Sequence, residues 1–147
     1  MLIKAEDDNH LIFASGINIK KTLTFDLNLM YTKIEGSTGG YAYYGPYLGA
    51  EIFYNKSNSV FAPKIGYVFA GMLLCFRISE LNYIYDKKID GRILPEIGLD
   101  FLGFGNICYG YNMHIMGTKY VDIPNHQFKL TLHLLFFNLK TKKFYDM

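Results

Sequence analysis

Apolar and polar residues alternate with period two along most of this chain, the pattern of strands with two unlike faces. From Thr22 to Thr32 one face reads Leu23, Phe25, Leu27, Leu29, Tyr31 and the other Thr22, Thr24, Asp26, Asn28, Met30, Thr32. Near the C-terminus Phe128, Leu130, Leu132, Leu134 and Phe136 oppose Gln127, Lys129, Thr131 and His133. Pro46, Leu48, Ala50, Ile52 and Tyr54 oppose Tyr47, Gly49, Glu51, Phe53 and Asn55. Phe61 to Phe69, Ile93 to Phe101 and Asn106 to His114 repeat the scheme. Within Met72–Tyr85 the apolar side is read as Met72, Leu74, Phe76 and Ile78, against Cys75, Arg77 and Ser79. A weaker strand at Leu11–Asn18 brings the expected number to eight.

Turn-like stretches separate these segments at Ile19–Lys21, Glu35–Gly40, Asn55–Asn58, Ala70–Gly71, Asp86–Gly91, Gly103–Gly105 and Gly117–Asn125. A short repeat, Pro-x-[Ile/Leu]-Gly, recurs at Pro46–Gly49, Pro63–Gly66 and Pro95–Gly98 and keeps the same phase each time. An even number of strands joined by short turns predicts an all-β fold, a closed eight-stranded antiparallel up-and-down β-barrel, because closure leaves no sticky edge. The whole chain, residues 1–147, is expected to be one domain, with 1–9 and 140–147 as peripheral ends.

Composition decides which face looks where. Half the residues are hydrophobic and 17% aromatic, with no Trp, while charged residues make up 19%, below the roughly 25% of ordinary soluble domains. Nucleic acid is not an expected partner at a net charge of +2. No stretch approaches the about 20 apolar residues of a spanning helix, whereas a spanning strand needs only about 9–11. A soluble carrier barrel covers its outside with charge; here the polar face is sparse, mixing Gly49, Gly66, Gly98, Gly110, Ala62, Cys75 and Cys108 with single charges. That face fits a filled lumen, with Asp26, Glu51, Lys64, Arg77, Glu96, Asp100, Lys129 and His133 as its charge network, since buried charges persist only when paired. Within it, Glu96 and Asp100 are expected to pair with Arg77 and Lys64. Tyr31, Tyr44, Tyr54, Tyr83, Tyr85 and Tyr111 are expected as an interfacial aromatic girdle on the apolar face. Met1–His10 carries Glu6, Asp7 and Asp8 and no apolar signal segment, so an exported protein would be represented here in a mature or truncated form.

Three stretches carry a resemblance: Gly45-Pro-Tyr-Leu-Gly-Ala-Glu-Ile-Phe-Tyr54, Ala62-Pro-Lys-Ile-Gly-Tyr67 and Leu94-Pro-Glu-Ile-Gly-Leu99, with Phe104–Asn112 and the closing His126-Gln-Phe strand adding to it. Over about Gly45 to Leu139 the chain resembles small bacterial outer-membrane barrels of the OmpA and OmpX type, and more closely short uncharacterised Bacteroidetes barrels. The resemblance implies an integral outer-membrane protein in contact with lipid or lipopolysaccharide, and with other envelope proteins if it is a subunit of a larger complex. It implies nothing specific about activity.

Candidate chemistry is thin. A lipid A deacylase needs a His-x-Ser pair with an orienting acid; the nearest sequence, His126-Gln127-Phe128, has Phe in place of the nucleophile. Glu96 and Asp100 share one strand face about 13 Å apart, wider than a glycosidase carboxylate pair. His114 and His133 share the inward phase, with Cys108 nearby, but a metal needs three or four converging ligands. Cys75 and Cys108 fall on the inward face, as buried thiols or as a bridge. No catalytic residue, metal or cofactor is therefore expected. The function expected is a non-enzymatic outer-membrane scaffold; a soluble calycin-like carrier of an apolar ligand is the alternative, followed by a lipid A-modifying enzyme.

Overall fold

The period-two pattern, rich in Leu, Ile, Phe and Tyr, satisfies its backbone by pairing each segment with the next. The computed structural model describes residues 8–20, 23–37, 40–55, 58–119, 123–140 and 143–146. They form β1 (Asp8–Ile19), β2 (Leu23–Ser37), β3 (Gly40–Asn55), β4 (Asn58–Gly71), β5 (Leu74–Tyr85), β6 (Lys88–Asp100), β7 (Gly105–Tyr111), β8 (Met113–Gly117), β9 (His126–Asn138) and β10 (Lys143–Asp146). All lie in one antiparallel sheet, ordered β1-β2-β3-β4-β5-β6-β7-β9, and β9 pairs back onto β1 to make a ring. Among the described residues no helix is long and apolar enough to cross a membrane.

The strand count differs from the eight expected for two local reasons. β7 and β8 lie in line along β6, pairing with Glu96–Asp100 and Asp90–Ile93, and part at Asn112. β10 covers the edge of β9 that projects beyond β7, pairing with Leu135–Asn138. β1 and β2 are also longer than expected, and part of the predicted Glu35–Gly40 turn is strand.

Two more turns differ from expectation: the one expected at Ala70–Gly71 lies two residues later, and the one expected over Asp86–Gly91 is confined to its first two residues. Gly71 and Gly91 are strand residues, and the turns fall on Met72–Leu73 and Asp86–Lys87. All four of those residues adopt positive φ (51°, 73°, 45° and 60°). Tight hairpins favour that geometry because it matches the strand twist, although glycine or asparagine usually supplies it.

Burial alternates with the sequence pattern, and the buried face is the polar one. Leu23, Phe25, Leu27, Leu29 and Tyr31 are exposed, while Thr24, Asp26, Asn28 and Thr32 are buried. Inside the ring, Ile12, Met30, Ile34, Tyr43 and Phe136 gather toward the end where β2–β3 and β4–β5 turn. Phe53, Val60, Leu81, Tyr83 and Ile123 gather toward the other end. The ionised groups described next lie largely between these two apolar clusters.

Candidate functional site

Inward phase on neighbouring strands brings long charged side chains toward one axis. Lys129 of β9 sets its Nζ 3.0 Å from Glu96 Oε1, 3.3 Å from Asp26 Oδ2 and 3.7 Å from Glu51 Oε1. Lys64 of β4 pairs with Asp26 and lies 3.9 Å from Glu51. Lys20, just past β1, reaches in to Glu51 at 2.6 Å and donates to Tyr83 Oη at 2.9 Å. Tyr83 donates on to Glu51 and accepts from Asn112 Nδ2. Three acids thus meet three lysines, and their side chains are shielded from solvent. Low dielectric strengthens each contact but makes any unpaired member costly.

Arg77, Asp100 and His133 stand nearer the first apolar cluster, each with its own partners. Arg77 donates to Asn106 Oδ1 at 2.8 Å and to Thr131 Oγ1 at 3.3 Å. Asp100 accepts from Tyr43 Oη and from the Gly103 backbone, both at 2.9 Å. The expected pairing of Glu96 and Asp100 with Arg77 and Lys64 is corrected as to direct contact: the salt bridge of Glu96 is to Lys129 and Asp100 takes neutral donors, while Arg77 acts on both acids, and Lys64 on Glu96, through charge at longer range. The register does place Arg77 opposite Glu96, but inward side chains choose partners across the narrow interior as readily as along one wall. His133 contacts the Gly103 carbonyl through Nδ1 at 2.6 Å and packs edge-on against Tyr43 and Phe136.

A third group lies near the opposite mouth. Asp90 Oδ2 accepts from Arg92 Nε and Nη2 at 3.0 and 2.8 Å, and its Oδ1 sits 2.7 Å from His114 Nδ1. Arg92 also donates to the Ile123 carbonyl. With these residues, five buried acids (Asp26, Glu51, Asp90, Glu96, Asp100) face five bases (Lys20, Lys64, Arg77, Arg92, Lys129). Sequence reasoning missed three of the ten. Lys20 and Asp90 had been assigned to turns, and Arg92 stood on the inward phase without being counted; extending each strand's phase by one step recovers all three.

His114 and His133 do not approach each other. His114 pairs with Arg92 beside the register shift at Gly91/Arg92 and contacts Asp90, while His133 contacts the Gly103 carbonyl in the turn before β7. Among the described residues no group of three or more His, Cys, Asp or Glu is placed to hold a metal. Cys75 and Cys108 are buried free thiols on the strands flanking β6, and both are in register with Gly98. A Cβ on Gly98 would lie 2.0 Å from the Ile107 carbonyl and 2.8 Å from Cys108 Sγ, so only glycine leaves room there.

The tyrosines divide. Tyr31, Tyr54 and Tyr111 are exposed on the apolar face, and Tyr44 stands half-exposed, donating to Glu35 at 2.6 Å. Tyr83 does not join them: it is 1% exposed, with its hydroxyl in the ionic cluster. Tyr85 packs half-buried against the second apolar cluster. Both share the odd-numbered phase of Cys75, Arg77 and Ser79 on β5, which points inward. Tyr67 and Tyr109, absent from the expected girdle, are exposed on the apolar face. No family model, curated protein or solved structure matches the chain.

Proposed function

We propose that the ring is a closed eight-stave β-barrel seated in a bacterial outer membrane, where it serves as a non-enzymatic scaffold or as a subunit of an envelope complex. β7 and β8 count as one interrupted stave, and β10 is an addition at the rim. The observation that carries this reading is the polarity of the two faces. Leu48, Ile65, Ile78, Ile97, Leu99 and Leu132 are each more than half exposed, while ten ionisable side chains are buried. In water that arrangement would leave an apolar belt around the whole ring, far larger than the patches soluble monomers tolerate. In lipid the belt is solvated, and the closed ring satisfies its backbone internally.

Strand length agrees: β1 to β6 run 12 to 16 residues, more than the about 9–11 a tilted spanning strand requires. An eight-stave interior is nearly filled by its own side chains, and here ion pairs and aromatic rings occupy it. That supports a scaffold over a pore. A carrier of apolar ligands calls for the opposite polarity, with Leu and Phe inside.

The test is refolding. The chain is expected to precipitate from denaturant into buffer, and to fold in detergent or lipid into a β-rich form whose gel mobility changes on boiling. A clean soluble monomer without detergent would overturn the proposal.

A further inference from the structure

Cys75 on β5 and Cys108 on β7 are the chain's two cysteines, and both are fully buried. Gly98 of β6 stands between them, in register with Cys75 on one side and with Cys108 on the other. With no side chain on Gly98, the Cys108 sulfur leans over it, 2.8 Å from where a Cβ would stand. The two thiols meet there in a side-chain hydrogen bond.

A disulfide does not follow from this closeness. The Cα atoms lie two strand spacings apart, roughly 9–10 Å, whereas a disulfide closes over about 4.4–6.8 Å. Shortening the gap would pull β5 or β7 off β6, which pairs with both. The sulfurs are therefore held face to face and kept from bonding to each other. Two thiolates with a metal ion between them need about 4.6 Å, at about 2.3 Å for each metal–sulfur bond. A small rotation of each side chain provides that separation without moving a strand.

Ligand number and charge narrow the guest. Among the described residues no third His, Cys, Asp or Glu completes a metal-binding group, so a four-coordinate zinc site is excluded. Thiolates select soft cations, and a soft monovalent cation accepts two ligands in line. Two thiols that each release a proton to hold one such ion leave a single negative charge in the interior. Arg77 answers that charge. It lies one pleat from Cys75 on the same inward face and acts on both thiol positions through charge. Lys20, Lys64, Arg92 and Lys129 each have a carboxylate within 4 Å. Arg77 instead donates to neutral Asn106 and Thr131, and its Nε has no hydrogen-bond partner among the described residues. Glu96 and Asp100, the acids that act on Cys75, are held by Lys129, Tyr43 and the Gly103 backbone.

We infer that Cys75 and Cys108 together bind one soft monovalent cation of the cuprous class, in line between two thiolates, with Arg77 as counter-charge. The site needs the ring and not a particular solvent around it, so it stands apart from the membrane reading.

The experiment is titration of the reduced full chain, folded in detergent or in buffer as refolding dictates, with cuprous ion held by a chromogenic chelator. The parent is expected to withdraw one ion per chain, with a thiolate-to-metal band in the ultraviolet. Cys75→Ser and Cys108→Ser, each first shown to fold by circular dichroism, should each lower the affinity at least about a hundredfold. Alanine at either position serves the same purpose if serine prevents folding. A folded parent that leaves the ion on the chelator overturns the site, as does a single-cysteine variant that binds as tightly as the parent. Uptake of one ion per thiol also overturns it, since a linear pair takes one.

Discussion

Replacing Lys129 by Met tests whether the ionic cluster is buried and balanced. Methionine keeps an unbranched apolar stem of similar length and removes only the charge. In the folded chain the Lys129 ammonium is within 4 Å of three carboxylates, and after substitution the salt bridges left among these acids are those of Asp26 and Glu51 to Lys64 and Lys20. At an effective dielectric of about 20, one contact at 4 Å contributes about 4 kcal/mol. Returning the lysine to water in the unfolded state offsets several kcal/mol of that sum. The net loss expected is therefore about 3–5 kcal/mol, the range found when one partner of a buried pair is removed. Glu96 supplies the internal control, since its salt bridge is to Lys129. Adding Glu96→Gln to Lys129→Met leaves two acids against two lysines and should recover about 2 kcal/mol. The assay is denaturant unfolding in detergent micelles, followed by far-UV circular dichroism and by the gel-mobility shift. A single-variant loss below about 1 kcal/mol would place Lys129 in water. A double variant no more stable than the single one would refute the charge-balance argument.

Three further outcomes follow from the same geometry. Leu48, 60% exposed at the middle of β3, faces lipid in this reading, so Leu48→Arg should cost about 2–4 kcal/mol in phospholipid vesicles; a change within about 0.5 kcal/mol would mean that the face meets water. Lys87 holds a φ of 60° in an exposed two-residue turn; Lys87→Gly should raise stability by about 1 kcal/mol by relieving left-handed strain, and a lower unfolding midpoint would contradict that. Gly98→Ala drives a methyl group onto the Ile107 carbonyl and should cost at least about 3 kcal/mol, while Gly71→Ala, whose nearest neighbour would be the Ala42 Cβ at 3.0 Å, should refold with far better yield.

Much of the fold was legible because a strand's side chains alternate faces; the expectation fails at Phe136, placed by phase outside with Leu134 but buried inside the ring, because the β1–β9 register passes from Ala14↔His133 to Phe13↔Leu135 and skips Leu134. Once Asp26, Glu51 and Lys64 share a phase with Gly49 and Gly66, their common burial follows from the backbone alone. Tyr83 shows how that rule is lost: it was read as a girdle residue for its chemistry, against the phase of Arg77 and Ser79 on its own strand. Turn positions were less legible, because Met72, Leu73, Asp86 and Lys87 accept positive φ without being glycine: the Ala70–Gly71 turn moves on to Met72–Leu73, and the Asp86–Gly91 stretch narrows to Asp86–Lys87. Pairing inside the ring was the least legible. Alternation says that Glu96 points inward, but whether it meets Arg77 on the next strand or Lys129 on β9 depends on curvature and side-chain reach, which a one-dimensional pattern does not encode.

The polar interior and the apolar exterior also belong to one energetic argument. Replacing a buried ionic cluster with well-packed hydrophobic residues is often neutral or stabilising in soluble proteins, so ion pairs are a weak reason for a water-soluble ring to hold together. A ring immersed in lipid has different options. Its outer face gains nothing by burying Leu or Phe from a solvent as apolar as they are, so hydrophobic collapse no longer distinguishes inside from outside. Its charged side chains have no water at mid-depth except what the interior admits, and their best partners are one another. The contacts of Lys129 with three acids contributed by β2, β3 and β6 then tie separate walls together across the axis. In the proposed membrane setting, closure and the ionic cluster would depend on each other, because opening the ring would leave Asp26, Glu51 and Glu96 facing lipid without a cation.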